Sequence, residues 1–212
     1  MNSPATNPLL DTRSLPAFAD IRPVHVAPAV AMLLQDANAA LERVTSDAVP
    51  AEYEALSAVL DVATERLARA WSAVTHLNAV ADTPELRAAY TEALPKVTEF
   101  HTRLGADERL YAKYKAVLAG SQAAGLSAPR RQALANAMRD FVLGGAELHG
   151  EPKLRFAQIQ ERQADRAQRY AEHVLDATDG FAYFAEVHEL AGVPADAVQA
   201  DRKSTRLNSS HQ

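Results

Sequence analysis

The residues able to do chemistry are seven histidines, a surplus of carboxylates and one pair of adjacent glycines. His188-Glu189-Leu190-Ala191 opens like an H-E-x-x-H zinc motif, in which two imidazoles one helical turn apart share the metal. The fifth position is Gly192, which carries no ligand atom. The other histidines are His25, His76, His101, His149, His173 and His211, and no two of the seven stand at the i, i+4 spacing. His76 lies next to the main apolar stripe, which predicts a buried imidazole donating to a backbone carbonyl. His173 is alone on a charged helix, and Glu172 beside it argues against a phosphotransfer role. Gly144-Gly145 lacks the following Lys-Ser/Thr of a phosphate loop, so close helix packing accounts for it better. No serine sits in a Gly-x-Ser-x-Gly turn. The chain has no Cys, which removes thiolate ligands, thiol nucleophiles and disulfides, and fits a reducing compartment. The carboxylates are spaced as solvent-facing helical pairs rather than as an isolated acid and base. From these residues alone no catalytic, cofactor-binding or metal-binding residue can be assigned.

The elements that would position such groups are helices. Ala51–Ala81 has no Gly and no Pro, with apolar side chains at Tyr53, Leu56, Leu60, Ala63, Leu67, Trp71, Val74 and Ala81. Steps of three and four place them on one face of a helix. At 1.5 Å per residue this is a rod roughly 45 Å long, the spine of an all-α body. Before it, residues 1–22 read as an extended arm rich in Pro, with Leu9, Leu10, Leu15 and Phe18 pinned against the helices. A first helix runs from Pro23 or Pro28 to Val44 on the stripe Val30, Leu33, Leu34, Ala37, Leu41 and Val44.

Asp82-Thr83-Pro84-Glu85 is a sharp start signal, with Thr83 as cap and Pro84 at the first helical position. The third helix carries Leu86, Tyr90, Leu94, Val97, Phe100 and Leu104. Pro95 within it predicts a kink, and Gly105 closes it. A fourth helix spans about Asp107–Leu118. Ser127 and Pro129 open a fifth with Leu134, Met138 and Phe141 inward. A sixth covers about Pro152–Ala177 with a heavily charged, solvated middle that includes the i,i+4 pair Asp165 and Arg169. Phe181–Val187 has an aromatic, strand-like texture, Gly192-Val193-Pro194 is a turn, and a last helix begins near Ala195.

Composition narrows the function classes. The 212 residues are 48% hydrophobic with only 8 Gly, which favours helices. No apolar run approaches the roughly 18 residues needed to cross a bilayer, and Met1–Pro8 has no export-signal pattern. The net charge of −5 without a basic stripe argues against nucleic acid as a partner. Residues 201–212, DRKSTRLNSSHQ, break the register abruptly and resemble a translated sequencing-library adapter. Removing their one acidic and three basic residues takes the charge from −5 to −7. The expected organisation is an arm at 1–22, a helical domain at 23–200 and an artefactual tail at 201–212. The native chain is expected to continue past Ala200.

A series of short segments carries a family resemblance. In order they include Asn7-Pro8-Leu9-Leu10, Leu15-Pro16 with Phe18, Ile21 and Pro23 with His25-Val26, and Pro28-Ala29-Val30. His76-Leu77-Asn78, Pro84-Glu85-Leu86-Arg87 with Tyr90, Leu94-Pro95 and Leu110-Tyr111 follow. Arg139-Asp140-Phe141, Val174-Leu175-Asp176-Ala177-Thr178 and Glu189-Leu190-Ala191-Gly192 with Pro194 complete the series. Taken together over Asn7–Pro194 they resemble the N-terminal region of the oligopeptidase A branch of the thimet oligopeptidase family of zinc metallopeptidases. The resemblance covers about the first third of a family member. It implies long antiparallel helices forming part of one lobe of a two-lobed helical body around a narrow channel. It implies zinc held by H-E-x-x-H and a later Glu, and a cytoplasmic, monomeric parent that cleaves short peptides, including cleaved signal peptides. The zinc motif would lie far beyond Ala200. The fragment is therefore expected to be inactive and to bind no zinc. The alternative reading is a complete, non-enzymatic helical interaction module.

Overall fold

The computed structural model describes residues 7–120 and 123–199, so the expected tail at 201–212 and His211 lie outside the described residues. Six α-helices account for most of them: α1 (Pro23–Thr45), α2 (Tyr53–Val80), α3 (Pro84–Gly105), α4 (Glu108–Ala119), α5 (Ala128–Leu143) and α6 (Glu151–Asp179). Among the described residues there is no strand. The all-α class read from the sequence is the one observed. Contacts divide the chain into two units, one ending at Ala171 and one starting at Glu172, with α6 running through the boundary.

In the first unit α1 and α2 form an antiparallel hairpin, and its pairing follows from where the apolar stripes fall. Val26, Val30, Leu33 and Ala37 of α1 meet Leu67, Ala70, Ala73 and Val74 from the far half of α2, and α3 adds Leu86, Tyr90, Ala93, Val97 and Phe100. A second cluster joins Leu41 and Val44 of α1 to Leu56 and Leu60 of α2, with Leu110, Tyr111 and Val117 of α4 and Leu134 and Phe141 of α5. Leu33, Leu41, Leu56, Leu67, Leu110 and Leu134 are fully buried. Each contributes on the order of 2 kcal/mol of apolar transfer. Trp71 stacks on Tyr90 at 4.7 Å between ring centroids, tying α2 to α3.

The ends are set by local chemistry. The Leu86 N–H donates to Thr83 Oγ1 at 3.2 Å, with Pro84 in the first turn. α1 starts at Pro23 and runs through Pro28. The ring removes the donor for the Val24 carbonyl. Val24 is exposed, so water can satisfy that carbonyl. α3 likewise continues through Pro95. Gly144 ends α5, and Gly145 takes φ +88°, a conformation L side chains rarely adopt. Gly144 also lies hard against α3: a Cβ there would sit 2.7 Å from the Gly105 carbonyl oxygen.

Three expectations are corrected. The arm is not simply extended, because 3-10 turns form at Pro8–Leu10 and Phe18–Asp20. The Asn7 amide donates to the His25 carbonyl at 2.9 Å and buries Leu9, whereas Leu15 is 86% exposed. Within the described part the arm is held at Asn7, and near Leu15 by the Arg69 guanidinium donating to the Ser14 carbonyl, a polar grip that needs no buried leucine. His76 is exposed, with its ring 5.3 Å from that of Phe18. It lies on the opposite side of α2 from Val74, and an imidazole there needs no buried acceptor.

The third correction falls in the second unit. Phe181–Val187 forms no strand, and Phe181, Tyr183 and Phe184 are exposed. An aromatic run without a neighbouring strand has no ladder to join. A turn at Ala191-Gly192 leads to a helical stretch over 195–199.

Candidate functional site

α3, α4 and α6 share a cleft of about 510 Å³. Gly105 ends α3, and Asp107 caps α4 two residues later by accepting from the N–H groups of Arg109 at 2.9 Å and Leu110 at 3.0 Å. That short link brings Asp107, Glu108 and Arg109 to the cleft wall, opposite Lys153, Leu154 and Phe156 of α6. The Arg109 guanidinium forks onto Glu42 of α1 at 2.8 and 2.9 Å and also reaches Asp107 at 2.8 Å. Lys153 donates to Glu108 at 2.6 Å, and His149 Nδ1 lies 3.5 Å from the same carboxylate.

These contacts decide what the cleft can do. The Arg109 hydrogen bonds hold the Glu42 carboxyl below its usual range, and the Lys153 hydrogen bond does the same to Glu108. Burial pushes Asp107 up, but the Arg109 hydrogen bond and the capped N–H groups outweigh it, so its carboxyl is also lowered. A general base working near neutral pH needs the opposite shift. The charges are spent on one another, and the cluster clamps α1, α4 and α6 together.

Among the described residues the other histidines do not converge either. His25 Nδ1 accepts from the Arg22 N–H at 3.1 Å and helps start α1. His101 packs against Phe100, and burial lowers its pKa. It borders a groove of about 700 Å³ along α2, where the Ser57 hydroxyl donates to Asp61. His173 is exposed on α6. In the second unit, the short turn Val187–Leu190 is 3-10 rather than α-helical. Glu189 there accepts from the Tyr183 hydroxyl at 2.6 Å and from the Glu186 N–H at 2.7 Å, which lowers its pKa. Among the described residues no three His, Asp or Glu side chains come together as a metal would require.

Against this geometry, comparison with known proteins is decisive. Residues 30–153 match the family model described as the neurolysin/thimet oligopeptidase N-terminal domain. The chain belongs to the thimet oligopeptidase family. The matched segment runs from α1 to the first residues of α6, so this family's N-terminal domain is the hairpin with the helices packed on it. Oligopeptidase A of Salmonella typhimurium is 40% identical over 196 residues, covering 92% of this chain and 29% of its own length. Oligopeptidase A of Escherichia coli is 39% identical over 196 residues, with the same coverage. A protein named probable cytosolic oligopeptidase A from Arabidopsis thaliana is 32% identical over 195 residues. The chain thus spans under a third of the length of the relatives it matches.

One surface is absent from the chemistry read in the sequence. A groove of about 620 Å³ runs along the outer side of α6, lined by Arg155, Ile159, Arg162, Gln163, Arg166, Ala167 and Tyr170. The signal was present as helical spacing, but a charged helix middle reads first as a solvated face.

Proposed function

We propose that this chain builds part of one lobe, and one wall of the peptide channel, of a zinc-dependent oligopeptidase that hydrolyses short peptides, including cleaved signal peptides. The zinc-bearing residues of that enzyme lie beyond the 212 residues described by this sequence. What carries the reading is the match to oligopeptidase A relatives over 92% of the chain and only 29% of theirs. The inward-turned charges around Arg109 suit a scaffold role. In this reading a zinc ion, held by residues outside this chain, would supply Lewis-acid chemistry in the parent protein. The residues here position helices and exclude bulky substrates.

The same reading makes the parent cytoplasmic and monomeric, residues 23–200 the helical domain, residues 1–22 its arm, and residues 201–212 no part of the native protein. No helix among the described residues is long and apolar enough to cross a membrane. Two measurements test the proposal. The gene read past codon 200 should encode H-E-x-x-H some hundreds of codons on. The purified 212 residues should cleave no peptide in the presence of zinc. A stop codon directly after Gln212 in intact genomic DNA would instead favour a complete helical interaction module. Zinc-dependent cleavage by these residues alone would refute the assignment of the chemistry elsewhere.

A further inference from the structure

The outer groove of α6 is distinguished by how its charges are sorted. α6 has no buried residue, although its apolar and charged positions are well segregated. Its inner side, with Lys153, Leu154, Phe156 and Glu161, faces the cleft beside α3 and α4. Its outer side presents Arg155, Arg162 and Arg166 with Ile159 and Tyr170 between them. Two acids adjoin these arginines in sequence: Glu161, beside Arg162, lines the inner cleft, and Asp165, beside Arg166, is paired with Arg169 at 3.2 Å. Among the described residues no ion pair joins Arg155, Arg162 or Arg166 to a carboxylate. In a chain of net charge −5, three guanidinium groups thus share one groove without an internal counter-charge. Arg162 and Arg166 are like charges one turn apart, which oppose each other on a bare helix and are relieved by an anion. Guanidinium is also the cation best matched to the fork of a carboxylate.

We infer that this groove binds a short, extended peptide bearing carboxylates, with Ile159 and Tyr170 giving it an apolar floor. The spacing defines the ligand. Arg162 and Arg166 are about 6 Å apart along the axis, and Arg155 and Arg162 about 10.5 Å, from the rise per residue. An extended peptide advances about 3.3 Å per residue and turns alternate side chains to the same face, so carboxylates two and then four residues apart, Glu-x-Glu-x-x-x-Glu, come within about 3 Å of register with the three guanidinium groups, a gap the long arginine stems can span. The inference deepens the peptidase reading and rests on it only for the choice of a peptide as occupant.

The test uses the 212-residue chain. An acetylated, amidated Glu-Ala-Glu-Ala-Ala-Ala-Glu peptide is titrated by calorimetry and by amide NMR shifts, beside its Gln-for-Glu counterpart. The acidic peptide should bind with shifts confined to residues 155–170, and the Gln peptide should bind at least about tenfold more weakly, as two or more exposed charge pairs allow. The exposed double variant R162E/R166E should lose the difference, and the milder R162Q/R166Q should reduce it, with circular dichroism confirming the fold of each. Equal binding of both peptides, shifts elsewhere, or no binding at millimolar peptide would overturn the inference. None of those results bears on the downstream zinc motif, so the two readings fail separately.

Discussion

Gly144→Ala is the substitution in which two ordinary rules disagree in sign. Gly144 has φ −75° and ψ −5°, which any L residue adopts. On backbone grounds alone Ala there should stabilise by about 0.4–1 kcal/mol through the unfolded chain. The structure reverses that expectation. The added Cβ would lie 2.7 Å from the Gly105 oxygen, 3.0 Å from the Gly105 carbonyl carbon and 3.0 Å from the Asp140 oxygen. These are backbone atoms at the end of α3 and within α5, and neither helix can swing aside as a side chain can. Overpacking of this kind costs about 1–3 kcal/mol, so the net effect should be a loss of about 1–2 kcal/mol. Gly105→Ala on the facing helix is the control. Its Cβ meets only the Gly144 Cα, at 3.7 Å, an ordinary contact. That variant should be neutral or more stable by up to about 1 kcal/mol. Urea unfolding of the three proteins measures both, read as midpoint shifts at constant slope. If Gly144→Ala is as stable as the parent, or if both variants lose stability equally, the close approach of α3 and α5 at this point is wrong.

Three further outcomes follow from the packing and the charges. Leu110→Ala empties a fully buried site where α1, α2, α4 and α5 meet, and should cost about 2–5 kcal/mol by urea denaturation. Asp107→Ala removes the cap of α4 and should cost about 1 kcal/mol, while Asp107→Asn, which can still accept from the Leu110 N–H, should lose less. Stability should fall as the pH drops below about 4.5, the ordinary Glu value. The folded carboxyls of Glu42, Asp107 and Glu108 are lowered, so the unfolded chain binds more protons in that range. Their contribution is complete above the unfolded pKa and is lost on acidification, which replacing Glu42 and Glu108 by Gln should blunt in a pH series of urea midpoints.

The helices were legible wherever a stripe and a cap agreed. Thr83-Pro84 at the start of α3 was readable because capping is local chemistry, needing only the next two or three residues, whereas α4 was placed from about Asp107 and the structure shows that residue to be its cap. The stripe of α2 gave Leu56, Leu60, Leu67 and Val74 correctly but passed over Ala70 and Ala73, which are buried where α1 and α2 approach closely. Small residues at a close contact look like background in a chain rich in Ala. His76 and Leu15 were misread for a common reason. Apolar or amphipathic character was taken as burial, and burial depends on what lies opposite, which a single chain position does not encode.

The site was a harder problem, because under the proposed function the metal ligands belong to a part of the enzyme outside these residues. What the sequence did contain was the absence of competing chemistry: no thiol, no imidazole pair at metal spacing, no phosphate loop. The structure adds a physical reason for treating the region as a scaffold. Arg109 commits to two carboxylates and Lys153 to a third, so the cleft's strongest charges stabilise a helix arrangement instead of remaining poised for proton transfer. The outer face of α6 is the exception. Among the described residues Arg155, Arg162 and Arg166 make no ion pair to a carboxylate, so a merely solvated face should lose little stability if they were replaced by lysine or glutamine, whereas a surface that reads carboxylates would lose its bidentate fit. The contrast separates a merely solvated helix from a binding one, and it can be measured on Arg162→Lys: unchanged urea midpoint with weakened acidic-peptide binding marks a recognition surface, and unchanged binding marks a solvated one.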